Sequence, residues 1–178
     1  VDPLFVIDLS NPKSPEVLGQ LKVTGFSSYL HPYDETHLIG IGKDATPAET
    51  GDFAWYRGVK LSLFDVGDVS HPVELSSFKI GDRGTDSYAL SDHHAFLFNR
   101  VSNLLVVPIT LAEIDESKYP QGIEANTYGD FVFQGAYVFN ITLDNGFKLR
   151  GRISHADEET IAKSGDYYFG SGTEVQRT

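Results

Sequence analysis

Leu4-Phe5-Val6-Ile7-Asp8-Leu9 and Leu61-Ser62-Leu63-Phe64-Asp65-Val66 decide how this chain folds. The second stretch lies 57 residues after the first. The match continues without a gap. Pro15-Glu16-Val17-Leu18-Gly19-Gln20-Leu21-Lys22-Val23 lies over Pro72-Val73-Glu74-Leu75-Ser76-Ser77-Phe78-Lys79-Ile80. A third copy, Ala136-Tyr137-Val138-Phe139-Asn140-Ile141, follows after a further 75 residues and leads into Asp144-Asn145-Gly146 and Phe147-Lys148-Leu149. Each copy reads as a hairpin: an apolar strand, an Asp or Asn whose side chain can bond the turn backbone, a turn signal, and a second strand. We label these two strands c and d.

Two further strands precede each later copy. Ser28 to Pro32 and His37 to Gly42 flank one polar turn; Ala95 to Phe98 and Leu104 to Ile109 flank another. These are strands a and b. Leu104-Leu105-Val106-Val107 is apolar on both faces, so it needs cover above and below. Four-stranded units in radial repetition describe a β-propeller. The chain therefore reads as all-β, a partial β-propeller of four-stranded antiparallel blades and a fragment of a larger propeller. Residues 1–23 supply strands c and d of one blade, 24–80 a second blade, 81–153 a third, and 154–178 the start of the next blade or a tail. A single β-sandwich with coincidental similarity is the alternative, and the gap-free offset weighs against it.

Composition narrows the function classes. Hydrophobic residues make up 40% of the 178, enough for a packed core. The formal net charge of −11 disfavours a nucleic-acid partner, because phosphate binding needs a basic patch. It suits cations, basic partners or plain solubility. No apolar run reaches the length of a transmembrane helix. Cysteine is absent, which excludes a disulfide framework and a thiolate metal site. The chain starts at Val1 and has no Met, so it reads as a piece of a longer product whose signal peptide, if any, lies upstream.

Propeller geometry places the d-to-a and b-to-c connections at one end. The b-to-c segments, about Lys43 to Arg57 and Ala112 to Gln134, are long, and long loops on a rigid scaffold are where binding resides. Each ends alike: Gly51-Asp52-Phe53-Ala54-Trp55 and Gly129-Asp130-Phe131-Val132-Phe133. A Gly turn and aromatics re-entering the core explain this equally well. The functional reading makes Asp52, Trp55, Asp130 and Phe133 a ligand rim, joined by Asp82, Arg83 and Asp86 from the d-to-a loop. By this assignment 15 of the 25 acidic residues share that end. Loop carboxylates suit Ca2+, which takes six to eight oxygens, although no EF-hand spacing is present.

The strongest candidate for chemistry is Asp82, Asp86, Asp92, His93 and His94 before the innermost strand of the third blade. Adjacent His with nearby Asp can ligate a transition metal. In a strand, however, His93 and His94 would point to opposite sides, and the bland reading is one buried and one exposed His. There is no Gly-x-Ser-x-Gly nucleophile elbow. Gly40-Ile41-Gly42 lies in a strand, without the helix a dinucleotide site needs.

Several stretches resemble a known family: Gly25-Phe26-Ser27-Ser28-Tyr29-Leu30-His31-Pro32-Tyr33-Asp34, Leu61-Ser62-Leu63-Phe64-Asp65-Val66, Ile80-Gly81-Asp82-Arg83-Gly84-Thr85-Asp86, His94-Ala95-Phe96-Leu97-Phe98, and Tyr128-Gly129-Asp130-Phe131-Val132-Phe133-Gln134-Gly135-Ala136-Tyr137-Val138-Phe139. They are similar to the C-terminal β-propeller domain of secreted archaeal and bacterial proteins, distantly related to WD-repeat propellers. The resemblance implies an extracellular, envelope-associated protein with a propeller several times this length. It implies no reaction and carries no catalytic residues over. The expected function is a non-catalytic binding or scaffold module that meets protein or glycan at the cell surface. It would associate with the rest of the propeller or with further copies. A metal-dependent propeller enzyme is the alternative.

Overall fold

The computed structural model describes residues 3–48 and 54–156. The first unit is a hairpin of β1 (Leu4–Asp8) and β2 (Glu16–Leu21). The middle unit is an antiparallel sheet in the order β3 (Phe26–Pro32), β4 (His37–Pro47), β5 (Ala54–Asp65), β6 (Val73–Ile80). The last is a second such sheet, β7 (Leu97–Asn99), β8 (Leu104–Glu113), β9 (Asp130–Thr142), β10 (Gly146–Ser154). Each four-stranded sheet is a meander, so strands a to d lie side by side in chain order. Among the described residues no helix is long and apolar enough to cross a membrane.

Alternation along the strands sets the core. On the middle blade Ile39 and Ile41 of β4 stand opposite Leu63 and Leu61 of β5. On the last blade Leu105 and Val107 of β8 stand opposite Phe139 and Tyr137 of β9. These side chains belong to one buried cluster between the two sheets. Phe78 and Phe139 meet edge-on across it, with ring centroids 5.0 Å apart. Burying each such large side chain contributes about 1.5–3 kcal/mol. Sheet-on-sheet stacking is therefore the main cohesive force, as blades require.

The other face of the middle blade explains Gly40 and Gly42. A Cβ on Gly42 would run into the carbonyl oxygen of Phe26, and one on Gly40 would meet Ser27 and Phe64. These glycines let strand a approach strand b where the β3–β4 register shifts.

Two details differ from the sequence reading. Both ends of each b-to-c segment are paired strand rather than loop. Thr46 pairs with Trp55 and Pro47 with Ala54. Ala112 pairs with Phe131 and Glu113 with Asp130. Thr, Trp and Phe favour a pleated surface, so the hairpins continue past the core. Strand a of the last blade is also shorter than expected. Asp86 bridges to Thr110, and the next pair on that edge of β8 is Leu97 with Val106. The ladder advances only from Thr110 to Val106 while the opposite chain runs from Asp86 to Leu97. The excess forms two 3-10 turns, Tyr88–Leu90 and His93–Ala95. Pro108 lies in the gap. It has no N–H to donate to a regular strand a, and its carbonyl accepts instead from the Ser87 hydroxyl at 2.6 Å.

Candidate functional site

The d-to-a loop between the blades is built as a seam. The Asp82 amide donates to Ala112 O, and Asp82 Oδ2 accepts from the Ile114 amide at 2.8 Å. Thr85 Oγ1 donates to Ala112 O and accepts from Ala112 N. Gly81 has φ of +61°, the left-handed turn that lets the chain leave β6 and fold over β8. Lys43, on strand b of the middle blade, donates to Thr85 O and Asp86 Oδ1. Asp82 and Asp86 are thus engaged in joining the blades.

Arg83 stands between the two b-to-c hairpins. Its guanidinium carbon is 5.2 Å from the Trp55 ring centroid and 4.3 Å from that of Tyr128. It donates to Tyr56 O at 3.3 Å and to Tyr128 Oη at 3.0 Å, while Arg83 O accepts from the Gly129 amide. Two stacked faces and two hydrogen bonds hold a planar cation in one pose. Tyr56 and Tyr128 remain exposed beside it. The sequence reading selected Trp55 and Arg83 but missed Tyr56 and Tyr128. The extra signal was aromatic residues flanking both hairpins.

The other candidates fall in three places. Phe133 packs against the core and lies edge-on to Tyr137, with Arg152 over its ring. Asp130 pairs with Lys118 at 2.6 Å. Asp52 lies outside the described residues. Acid at this end is largely partnered: Asp44 Oδ2 lies 2.7 Å from Lys79 Nζ, and Asp115 caps the turn at Ser117. Among the described residues, the acids proposed for calcium do not gather three ligand atoms at one point.

Asp92, His93 and His94 do gather, each with one ligand atom within 4.8 Å of the others. They sit on the second 3-10 turn, so the imidazoles are not on opposite sides of a strand as expected. Successive residues of a 3-10 turn are about 120° apart, against about 180° in a strand. The two rings lie side by side with centroids 4.1 Å apart. Asp92 is the N-cap: Oδ1 accepts from His94 N at 2.9 Å and lies 2.8 Å from His94 Nδ1. The His94 amide and ring bonds hold the Asp92 carboxyl below the usual carboxylate range. Beside this turn runs an aromatic row on the inner strands. Tyr29 meets His93 and Phe96, and His31 meets Phe96 and Phe98. Burial lowers the pKa of His31.

Stacked four-stranded antiparallel meanders define the β-propeller class. The chain belongs to the beta propeller domain family, whose model matches residues 1–178. It is 41% identical over 107 residues to an uncharacterized protein of Archaeoglobus fulgidus, covering 60% of this chain and 15% of that protein. It is 42% identical over 107 residues to an uncharacterized protein of Methanocaldococcus jannaschii, covering 60% of this chain and 15% of that protein. The chain thus spans a small part of the length of these relatives. No solved structure matches it.

Proposed function

We propose that this chain is a non-catalytic binding module of an extracellular, envelope-associated protein, and that it engages protein or glycan through the end bearing the two b-to-c hairpins. The observation that carries this reading is the Trp55–Arg83–Tyr128 stack. It fixes two hairpins of adjacent blades against one another and leaves Tyr56 and Tyr128 exposed at their rims. Rigid aromatic side chains give contact area at low entropic cost, and ordered loops reduce the cost of binding. The acid around the stack favours neutral or basic ligands over anionic ones. The sequence resemblance to secreted propellers is what favours the cell-surface setting.

A glycan array and a panel of purified envelope proteins test the proposal. Binding to at least one ligand is expected, weakened about tenfold or more by Tyr56→Ser or Tyr128→Ser, as for an interface residue worth over 1 kcal/mol. No binding across both panels, together with turnover of any substrate, would overturn it.

A further inference from the structure

We propose that Asp92, His93 and His94 form a site for one divalent transition-metal ion on the inner edge of the last blade. This site is separate from the aromatic stack, and its argument does not rest on the binding-module reading.

The fold brings the three residues together. Pro108 denies a regular strand a one of its bonds, and the chain between Asp86 and Leu97 leaves the ladder as two 3-10 turns. The second turn carries the Asp-His-His run. Its geometry puts two neighbouring imidazoles on one side, where a strand would separate them. Asp92 closes the turn from its N-cap and stays beside both rings.

The chemistry fits a metal of borderline softness. Two imidazoles and a carboxylate suit Zn2+, Ni2+, Co2+ or Cu2+ better than Ca2+ or Mg2+, which prefer all-oxygen sets. Asp92 Oδ1 and His94 Nδ1 already lie 2.8 Å apart, close enough to bind one ion together, and the bond from the His94 amide holds the carboxylate in place. Metal–ligand bonds of about 2.0–2.2 Å span at most about 4.4 Å between two ligands. The observed limit of 4.8 Å closes to that span with a small rotation of exposed side chains. Three protein ligands leave at least one coordination position for water or an external ligand. The net charge of −11 raises the local concentration of cations.

Titration calorimetry of the 178-residue chain with ZnCl2 and with NiCl2 tests this inference. One saturable site is expected. His93→Ala, His94→Ala and Asp92→Asn should each weaken it at least about tenfold, since losing a ligand costs no less than losing an outer-shell partner. Asn still caps the turn, so Asp92→Asn leaves the fold intact. His71→Ala, which removes a similar exposed His–Asp pair on a c-to-d turn, should change nothing. A second readout needs no variant: substoichiometric Co2+ should broaden the imidazole NMR signals of His93 and His94 and spare that of His71. No saturable binding, unchanged binding in both His variants, or broadening centred on other residues would overturn the site.

Discussion

Lys43 Nζ lies 2.9 Å from Asp86 Oδ1, so a strand of one blade holds the loop that opens the next. The same ammonium donates to Thr85 O. Lys43 is mostly buried, while Asp86 is half-exposed, so the ion pair alone contributes little. The charged bond to a buried-side carbonyl contributes more. Lys43→Met should cost about 1–2 kcal/mol. Asp86→Asn should cost less, because Lys43 keeps Thr85 O. Urea denaturation of both variants checks the order.

Arg83 locks the hairpins by shape as much as by charge. Lys at this position keeps the charge but cannot stack on two rings and donate to Tyr56 O and Tyr128 Oη together. Arg83→Lys should therefore behave nearly as Arg83→Ala does. Each should cost about 1–2 kcal/mol, from two exposed cation–π contacts and the hydrogen bonds. Amide exchange should quicken at Gly129, whose N–H bonds Arg83 O, before it quickens at Leu105 or Phe139. Equal protection in Arg83→Lys and the unmodified chain would contradict the stacking argument.

Ser87 carries the detour before strand a of the last blade. Its hydroxyl donates to Pro108 O and accepts from the Ala89 amide, both in buried surroundings. Ser87→Ala leaves that carbonyl and amide without a partner, which costs about 1–3 kcal/mol. Thermal denaturation should show the loss. Ser87→Thr keeps the hydroxyl and should recover part of it.

The fold was legible because blade repetition is written in spacing. A strand in one blade must match its counterpart in the next, and Leu61 to Val66 over Leu4 to Leu9 shows it directly. The strand limits were less legible. Thr46 opposite Trp55 extends a hairpin, but a pairing between distant residues leaves little trace in local sequence. The interruption of strand a had a visible cause in Pro108, inside a run that otherwise reads as a central strand. Its consequence, adjacent imidazoles on one side, depends on a turn whose residues are not distinctive. Asp82 and Asp86 illustrate a further limit. Carboxylates that stitch blades and carboxylates that bind ligands look alike until their partners are known.

Lys60 is nearly fully buried on the face opposite the core cluster. Its Nζ lies 2.9 Å from Glu74 Oε1 and donates to Thr24 O at 3.1 Å. Desolvating such a pair offsets much of its attraction, but breaking it strands a charge. Lys60→Met should cost about 2–4 kcal/mol, tempered by the partial exposure of Glu74. Lys60→Met with Glu74→Leu should recover most of that loss, because no unpaired charge remains. Chemical denaturation of the single and double variants measures the coupling.

His31 makes the contact between the inner strands sensitive to acid. Its ring packs on Phe96 and Phe98, and its Nδ1 lies 2.9 Å from Tyr29 Oη. Burial lowers its pKa from the ordinary 6.5, since the apolar rings disfavour the imidazolium. The unfolded chain therefore takes up this proton at a higher pH than the folded one. Between the two values the unfolded state binds more protons, so folding stability falls as pH falls. The full contribution is present above about 6.5 and declines as pH drops through that value and the lower folded one. Protonation also removes the Nδ1 lone pair that can accept from Tyr29. His31→Asn removes this titration. Its stability should vary less than that of the unmodified chain between about pH 7 and pH 5, a range that brackets the ordinary His value. Urea midpoints at both pH values give the comparison. Contributions that the two chains share cancel in the difference. Equal pH dependence in the two chains would show that His31 is as free to protonate in the fold as in the unfolded state.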